Sequence, residues 1–178
     1  VTEPVRLETE RLILDGHSAD DFDAIAAMWA DAGVVAHISG RPSSLDESWG
    51  RLLRYRGLWP VLGFGYWAVR EKASGLLVGD LGFGDFRRDI EPPITGIPEA
   101  GWVFAPWAQG RGYAGEALKA ALAWLDAEPR FDRSVCLIAP RNERSIRLAE
   151  RNGYGAKTTI RYRGEDTLLF TRRRPPSG

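Results

Sequence analysis

Trp102-Val103-Phe104-Ala105-Pro106-Trp107-Ala108-Gln109-Gly110-Arg111-Gly112-Tyr113-Ala114-Gly115-Glu116-Ala117-Leu118 reads as a strand, a tight glycine loop and the first turns of a helix. Glycines at positions 110, 112 and 115 remove side chains where backbone amides must come close to a partner. Those amides fall at a helix N-terminus, where first-turn N–H groups lack acceptors and the helix dipole favours an anion. A loop of this build suits a pyrophosphate, so the chain is expected to bind a phosphorylated cofactor.

The flanking sequence places the loop inside a mixed α/β pattern. Val5 to Leu14 alternates as an opening strand. Ser18 with Asp21 opens a helix whose apolar face holds Phe22, Ile25, Met28 and Trp29. Ser44 with Glu47 opens a second, with Trp49, Leu52, Leu53 and Leu58 on its apolar side and Pro60 and Gly63 at its close. Tyr66 to Arg70 and Leu76 to Phe83 form a hairpin about Lys72-Ala73-Ser74-Gly75. A long proline-containing loop from Asp85 to Pro98 follows, the kind that often carries function. Glu99 to Phe104 is the strand leading into the glycine loop, and Gly112 to Ala127 is the helix after it. Ser134 to Ala139 is a buried strand, and Asn142 to Arg151 a short helix stopped at Asn152-Gly153. Two strands near Lys157 to Arg161 and Thr167 to Thr171 complete the pattern.

Bulk properties narrow the function. A length of 178 residues suits one domain. The formal net charge is +0, without the basic field of a nucleic-acid binder. The one cysteine, Cys136, cannot form an internal disulfide and reads as a small buried strand residue. No apolar run approaches the roughly 18 residues a bilayer span needs, and no basic-then-apolar leader pattern is present. A cytoplasmic protein with no membrane partner is expected. His17 and His37, far apart in sequence, read as surface or packing residues, and no metal is expected. The basic end Arg172-Arg173-Arg174-Pro175-Pro176-Ser177-Gly178 reads as a solvated tail.

Gly110, Gly112 and Gly115 satisfy G-x-G-x-x-G, the dinucleotide fingerprint, but the context departs from it. Pro106 to Gln109 separates the strand from the first glycine, and the next strand ends in Ile138-Ala139-Pro140, with no acid for a ribose. No G-x-x-x-x-G-K-[ST] run is present. Gln109-Gly110-Arg111-Gly112-Tyr113-Ala114 instead resembles the acyl-CoA loop of the GNAT acetyltransferases, Q/R-x-x-G-x-G/A. Asn142-x-x-Ser145 with Leu148-Ala149-Glu150-Arg151-Asn152-Gly153-Tyr154 resembles that family's second cofactor motif. Leu7-Glu8-Thr9-Glu10-Arg11-Leu12-Ile13-Leu14, Gly65-Tyr66-Trp67-Ala68-Val69 with Gly75 and Gly79, and Gly112-Tyr113-Ala114-Gly115-Glu116-Ala117 resemble the RimJ/RimL-type branch, in the same order along the chain.

The resemblance implies an α/β (α+β) GNAT-like fold: a mixed central sheet of about seven strands, splayed at the cofactor site and flanked by about four helices. Residues 1–171 would form a single acyl-CoA N-acyltransferase domain, with 172–178 as the tail. Acetyl-CoA would be the co-substrate and a primary amine the acceptor, on a protein or peptide N-terminus or a small molecule; a homodimer is common among relatives. Backbone groups of Gln109, Gly110, Arg111, Gly112, Tyr113, Ala114 and Gly115 would hold the pyrophosphate. Trp102 and Phe104 would bond the pantetheine arm along an open strand edge, with Asn142 further along it. Arg111, Lys119 and Arg144 are candidates for the remaining phosphates.

Catalysis then requires removal of a proton from the amine and stabilisation of the leaving thiolate. Keeping a lysine amine neutral at pH 7 costs about 4–5 kcal/mol and an α-amine about 1 kcal/mol, so a weak or water-relayed base serves the second. Glu99, at the start of the strand into the loop, is the candidate base or substrate-orienting residue. Many family members place a tyrosine seven residues after the motif's asparagine as the acid; here that position is Ala149. Ser145 is the candidate donor to the thiolate, Tyr154 reads as core, and Glu116 as a structural charge. Trp29, Trp49, Trp59 and Trp67 are candidate walls for the acceptor. The missing tyrosine keeps open a non-catalytic acyl-CoA-binding regulatory domain as the alternative.

Overall fold

A computed structural model of the chain describes residues 3–176. Its strands are β1 (Leu7–Glu8), β2 (Leu12–Asp15), β3 (Tyr66–Glu71), β4 (Leu77–Gly84), β5 (Glu99–Phe104), β6 (Arg133–Ile138), β7 (Ala156–Tyr162) and β8 (Glu165–Arg173). Its helices are α1 (Phe22–Ala30), α2 (Ala32–Val35), α3 (Leu45–Leu62), α4 (Tyr113–Ala127) and α5 (Glu143–Arg151). The strands form one sheet in the order β1-β2-β3-β4-β5-β6-β8-β7. Every pairing is antiparallel except β5 with β6. The mixed α/β class is therefore as expected, with eight strands rather than seven and five helices rather than four among the described residues.

The extra strand comes from a break in the opening alternation. Thr9 N–H donates to the Leu12 carbonyl at 3.0 Å, and Leu12 N–H to the Thr9 hydroxyl at 3.0 Å, turning the chain back so that β1 pairs with β2. Glu116 of α4 holds that turn: it accepts from the Thr9 hydroxyl at 2.6 Å and from Arg11 N–H at 2.9 Å and Nε at 2.7 Å. Burial works against the Glu116 charge, but these donors hold its carboxyl below the usual range. Its expected structural role is what the structure shows.

Caps set the helix ends. Glu47 and Ser44 cap α3 reciprocally, with Ser44 N–H donating to Glu47 Oε2 at 2.9 Å and Glu47 N–H to the Ser44 hydroxyl at 3.4 Å. The apolar stripe expected on α3 is partly mis-phased. Leu52 and Leu58 are buried with Ser48, Tyr55 and Trp59, whereas Trp49 and Leu53 are exposed. At 3.6 residues per turn the buried row runs 48, 52, 55, 59, and a hydrophobic count alone chose the wrong flank of it.

Two apolar clusters lie on opposite faces of β6. Cys136 belongs to the main core with α1, α4 and the central strands, while Val135 packs with Ile90, Ile94, Ile160 and Leu169. Successive strand residues point to opposite faces, which assigns the clusters to the two sides. The loop from Asp85 to Pro98 thus has a core of its own, and Asp85 ties it by accepting from Arg87 N–H at 3.1 Å and Gly96 N–H at 3.0 Å. Burial, together with the Glu99 charge, pushes the Cys136 thiol well up, out of reach of the thiolate form. Alkylation with iodoacetamide, read by mass spectrometry, should leave Cys136 unmodified in folded protein and modify it fully in denaturant. Rapid labelling of folded protein would contradict this burial.

The chain stays ordered past the boundary expected at residue 171. β8 runs to Arg173, Arg172 forms a two-pronged ion pair with Asp126 at 2.7 Å, and Arg174 N–H donates to the Asp132 carbonyl at 2.7 Å. Residues 172–174 therefore serve as strand and anchor, not tail. Residues 177 and 178 lie outside those described, as do residues 1 and 2 at the other end of the expected domain.

Candidate active site

The sheet opens where β5 leaves β6. Their parallel pairing is a single register pair, Glu99 with Val135, anchored by Val135 N–H donating to the Pro98 carbonyl at 3.0 Å. On the other edge β5 stays paired with β4 along its whole length, from Glu99 with Gly84 to Phe104 with Gly79. Pro98 faces β6 and Ala105 donates to Val78 of β4, so alternation turns the backbone groups of Trp102 and Phe104 towards the gap. The Phe104 carbonyl is taken by the Gln109 side-chain amide at 3.0 Å. That leaves Trp102 N–H and C=O and Phe104 N–H along an edge unpaired among the described residues.

This edge runs into the glycine loop. Gly110 (φ +76°) and Gly112 (φ +81°) both occupy the left-handed region, which only glycine adopts without strain. Gly112 is the N-cap of α4, and among the described residues no acceptor takes the N–H groups of residues 110 to 115. The loop is tied from behind instead, with Arg11 donating to the Arg111 carbonyl at 2.9 Å. A row of unpaired amides at a 15-residue helix's N-terminus is an anion site.

The side chains divide between this site and its supports. Arg111 turns to Glu71 at 3.2 Å and does not line the cleft, and Lys119 is exposed and outside it. Neither side chain faces the cleft, and Arg111 offers its backbone N–H to it. Tyr113 is buried with its hydroxyl on Glu71, so it too offers backbone alone. Arg144 lines the cleft and donates to Gln109 Oε1 at 2.9 Å, linking α5 to the loop. Asn142 caps α5, its Oδ1 accepting from Ser145 N–H at 3.2 Å, which leaves its amide N–H groups for a ligand. Ser145 is not the cap: its hydroxyl accepts from Trp102 Nε1 at 3.1 Å and keeps its own proton to donate. Ala149, one turn on, is fully buried. Tyr154 is also fully buried and bonded to the Ser134 hydroxyl at 2.9 Å, the core residue expected.

Glu99 lines the cleft but is only 5% exposed, with both oxygens on Arg88, Oε2 at 2.6 Å from Nε and Oε1 at 2.7 Å from Nη2. Arg88 also donates to the Tyr162 hydroxyl. Burial opposes its charge, but Glu99 outweighs burial and holds the guanidinium more firmly protonated than usual. Beside this pair stands Tyr66: a Cβ on Gly101 would fall 2.0 Å from its hydroxyl oxygen, so the missing side chain at 101 makes room for the ring. Tyr55 of α3 stacks on Tyr66 at 4.2 Å between centroids.

Of the four tryptophans expected as walls, only Trp29 lines the cleft. Trp59 and Trp67 are fully buried and pack edge-on at 4.9 Å, and Trp49 packs edge-on against Phe22 at 5.4 Å. His17 is a buried packing residue whose Nε2 lies 2.7 Å from Asp80 Oδ1. Sequence reasoning missed Arg88, Tyr66 and the pair Arg51 and Arg54. The last two were findable, since a spacing of three puts them on one side of α3; Arg88 was hidden in a loop without periodicity. The whole cleft, from the amide row to α3, encloses about 2450 Å³.

Residues 11–155 match the family model described as an acetyltransferase (GNAT) domain. The chain belongs to the GNAT acetyltransferase family. It is similar over most of its length to a protein of Bordetella pertussis described as a GnaT-family acetyltransferase, with 35% identity, a TM-score of 0.82, and 94% of this chain and 99% of that one covered. An acetyltransferase from Agrobacterium tumefaciens str. C58 is 27% identical with a TM-score of 0.78, covering 95% and 94% of the two chains. The uncharacterized protein YkkB of Bacillus subtilis is 32% identical over 111 residues, a segment that is 62% of this chain and 62% of that relative's length. This acetyltransferase is thus an N-acetyltransferase that uses acetyl-CoA. The unpaired amide row and open β5 edge fit that co-substrate. No helix among the described residues is long and apolar enough to cross a membrane.

Proposed function

We propose that this acetyltransferase is of the RimJ/RimL-like type and acylates a primary amine, an α-amine or a small-molecule amine, by direct attack. The observation that carries this reading is the abrupt end of β5–β6 pairing at Glu99 and Val135, beside a strand edge that leads to unpaired amides. Acetyl-CoA supplies the activated acetyl group when bound. The N–H groups of residues 110 to 115 would hold its diphosphate, Arg144 an outer phosphate, and Trp102, Phe104 and the Asn142 amide its arm. The Ser145 hydroxyl, which receives the Trp102 N–H, is a better donor for doing so, and takes the place of the absent tyrosine at the sulfur.

Glu99 begins at the apex of the gap. With both oxygens engaged by Arg88, its remaining lone pairs suit holding the incoming amine more than removing its proton outright. Water then carries the proton, which an α-amine makes cheap. Thiol release from acetyl-CoA with a panel of amines tests the reading, alongside thermal shifts with CoA, NAD and ATP. Stabilisation by CoA alone and turnover with primary amines are expected. Stabilisation by NAD or ATP but not CoA, or no turnover with any amine, would overturn it.

A further inference from the structure

The charges at the acceptor end of the cleft do not balance. Three acid–arginine pairs line it, Glu99 with Arg88 at 2.6 Å, Asp85 with Arg87 at 3.5 Å and Asp166 with Arg161 at 2.9 Å, while Glu165 stands exposed at the turn between β7 and β8. Arg51 and Arg54 of α3 also line the cleft, and among the described residues no carboxylate lies within ion-pair distance of either. Asp80, buried nearby, is turned to His17 and to the Trp29 N–H.

Arg51 is held ready for a planar partner. Its guanidinium carbon lies over Trp29 at 3.5 Å from the ring centroid, and among the described residues its side chain makes one hydrogen bond, a long contact of 3.4 Å to the Ser43 hydroxyl. Burial pushes its pKa down, the mark of a cation partly stripped of water. Arg54 leans on Phe86 at 5.5 Å, and Arg88 lies over the same ring at 5.1 Å. The Tyr55–Tyr66 stack joins this group to Gly101 of β5, two residues along from Glu99. A stacked guanidinium leaves its N–H edge free, and that fork matches a carboxylate bidentately.

We infer that the acceptor carries a carboxylate near its amine, as a free amino acid does, and that Arg51 and Arg54 seat it while the amine faces Glu99. This rests on the primary-amine reading above and names its substrate class. A polyamine, cationic at every amine, would meet two unpaired arginines here and be repelled.

The test compares free amino acids with the corresponding amino acid amides, and with spermidine, in wild type and in Arg51→Gln and Arg54→Gln. Arg54 is exposed, so its variant keeps the fold if Arg51→Gln does not. Wild type should favour the free acids by about ten- to a hundredfold in kcat/KM, and each variant should lose most of that ratio. A second readout needs no turnover: calorimetric binding of N-acetyl amino acids and N-acetyl amino acid amides to the CoA-loaded protein, with the same preference and the same loss. Equal use of acids and amides, preference for spermidine, or a ratio indifferent to both substitutions would overturn the carboxylate subsite and leave the amine reading standing. Carboxylate-dependent binding without turnover on any amine would do the reverse. Acidic N-terminal peptides outperforming free amino acids would also overturn the proposal as stated.

Discussion

Gly115→Asp should weaken CoA binding by at least about a hundredfold while leaving the fold intact. Gly115 is the third residue of α4, in ordinary helical conformation, and a Cβ there would meet only Leu148 Cδ1 at 3.8 Å. An acid at this helix position reaches back to the free first-turn amides, as in a capping box, and complements the dipole. The same reach puts a carboxylate among the N–H groups assigned to the diphosphate. Charged-group hydrogen bonds are worth about 1.5–3 kcal/mol each, so losing two sets the expected scale. Calorimetry with CoA and a melting curve of the apo protein give the two halves of the result. A Gly115→Asp protein with wild-type CoA affinity would remove the amide row from the cofactor site. Gly112→Asp is a blunter probe: at φ +81° it adds backbone strain to the charge, so lost binding would have two causes.

The strand–loop–helix geometry of the candidate cofactor site was legible because it is local. The strand, the loop glycines and the α4 start are contiguous, and the backbone conformation they need is written in residue type. The parallel pairing of β5 with β6 is of the kind that the helix between them permits and a hairpin does not. What escaped was long-range. The Thr9 turn depends on Glu116, 107 residues away, and the Arg111 side chain is drawn off by Glu71. Nothing near Arg111 in sequence signals that partner. The acceptor side was least legible, because its residues come from α1, α3 and the loop from Asp85 to Pro98, which only the folded sheet brings together. Tryptophan content there misled: Trp59 and Trp67 are the size of pocket walls, but the core needed them first.

Glu99→Gln separates the two roles open to this carboxylate. Alone, it leaves Arg88 without its charge partner in a mostly buried place, where the arginine side chain is 21% exposed. Breaking such a pair costs roughly 3 kcal/mol, so the single variant should melt earlier and turn over about ten- to a hundredfold more slowly. Lost activity could then be mistaken for lost structure. Arg88→Met combined with Glu99→Gln removes both charges, so no unpaired charge is left in the buried place. The double variant should therefore recover much of the melting temperature but not the turnover. Recovery of both would make Glu99 a structural counter-ion and nothing more. The pH profile distinguishes base from positioning residue. If Glu99 removed the proton, the acid-side limb of kcat/KM would vanish in Glu99→Gln. If it only holds the amine, the limb belongs to the amine itself: the rate rises with pH as the ammonium form is lost, near 7.7–8.0 for an α-amine. The same limb, lowered in height but unmoved on the pH axis, is the expected result, because both Glu99 oxygens are already engaged by Arg88 before any amine arrives.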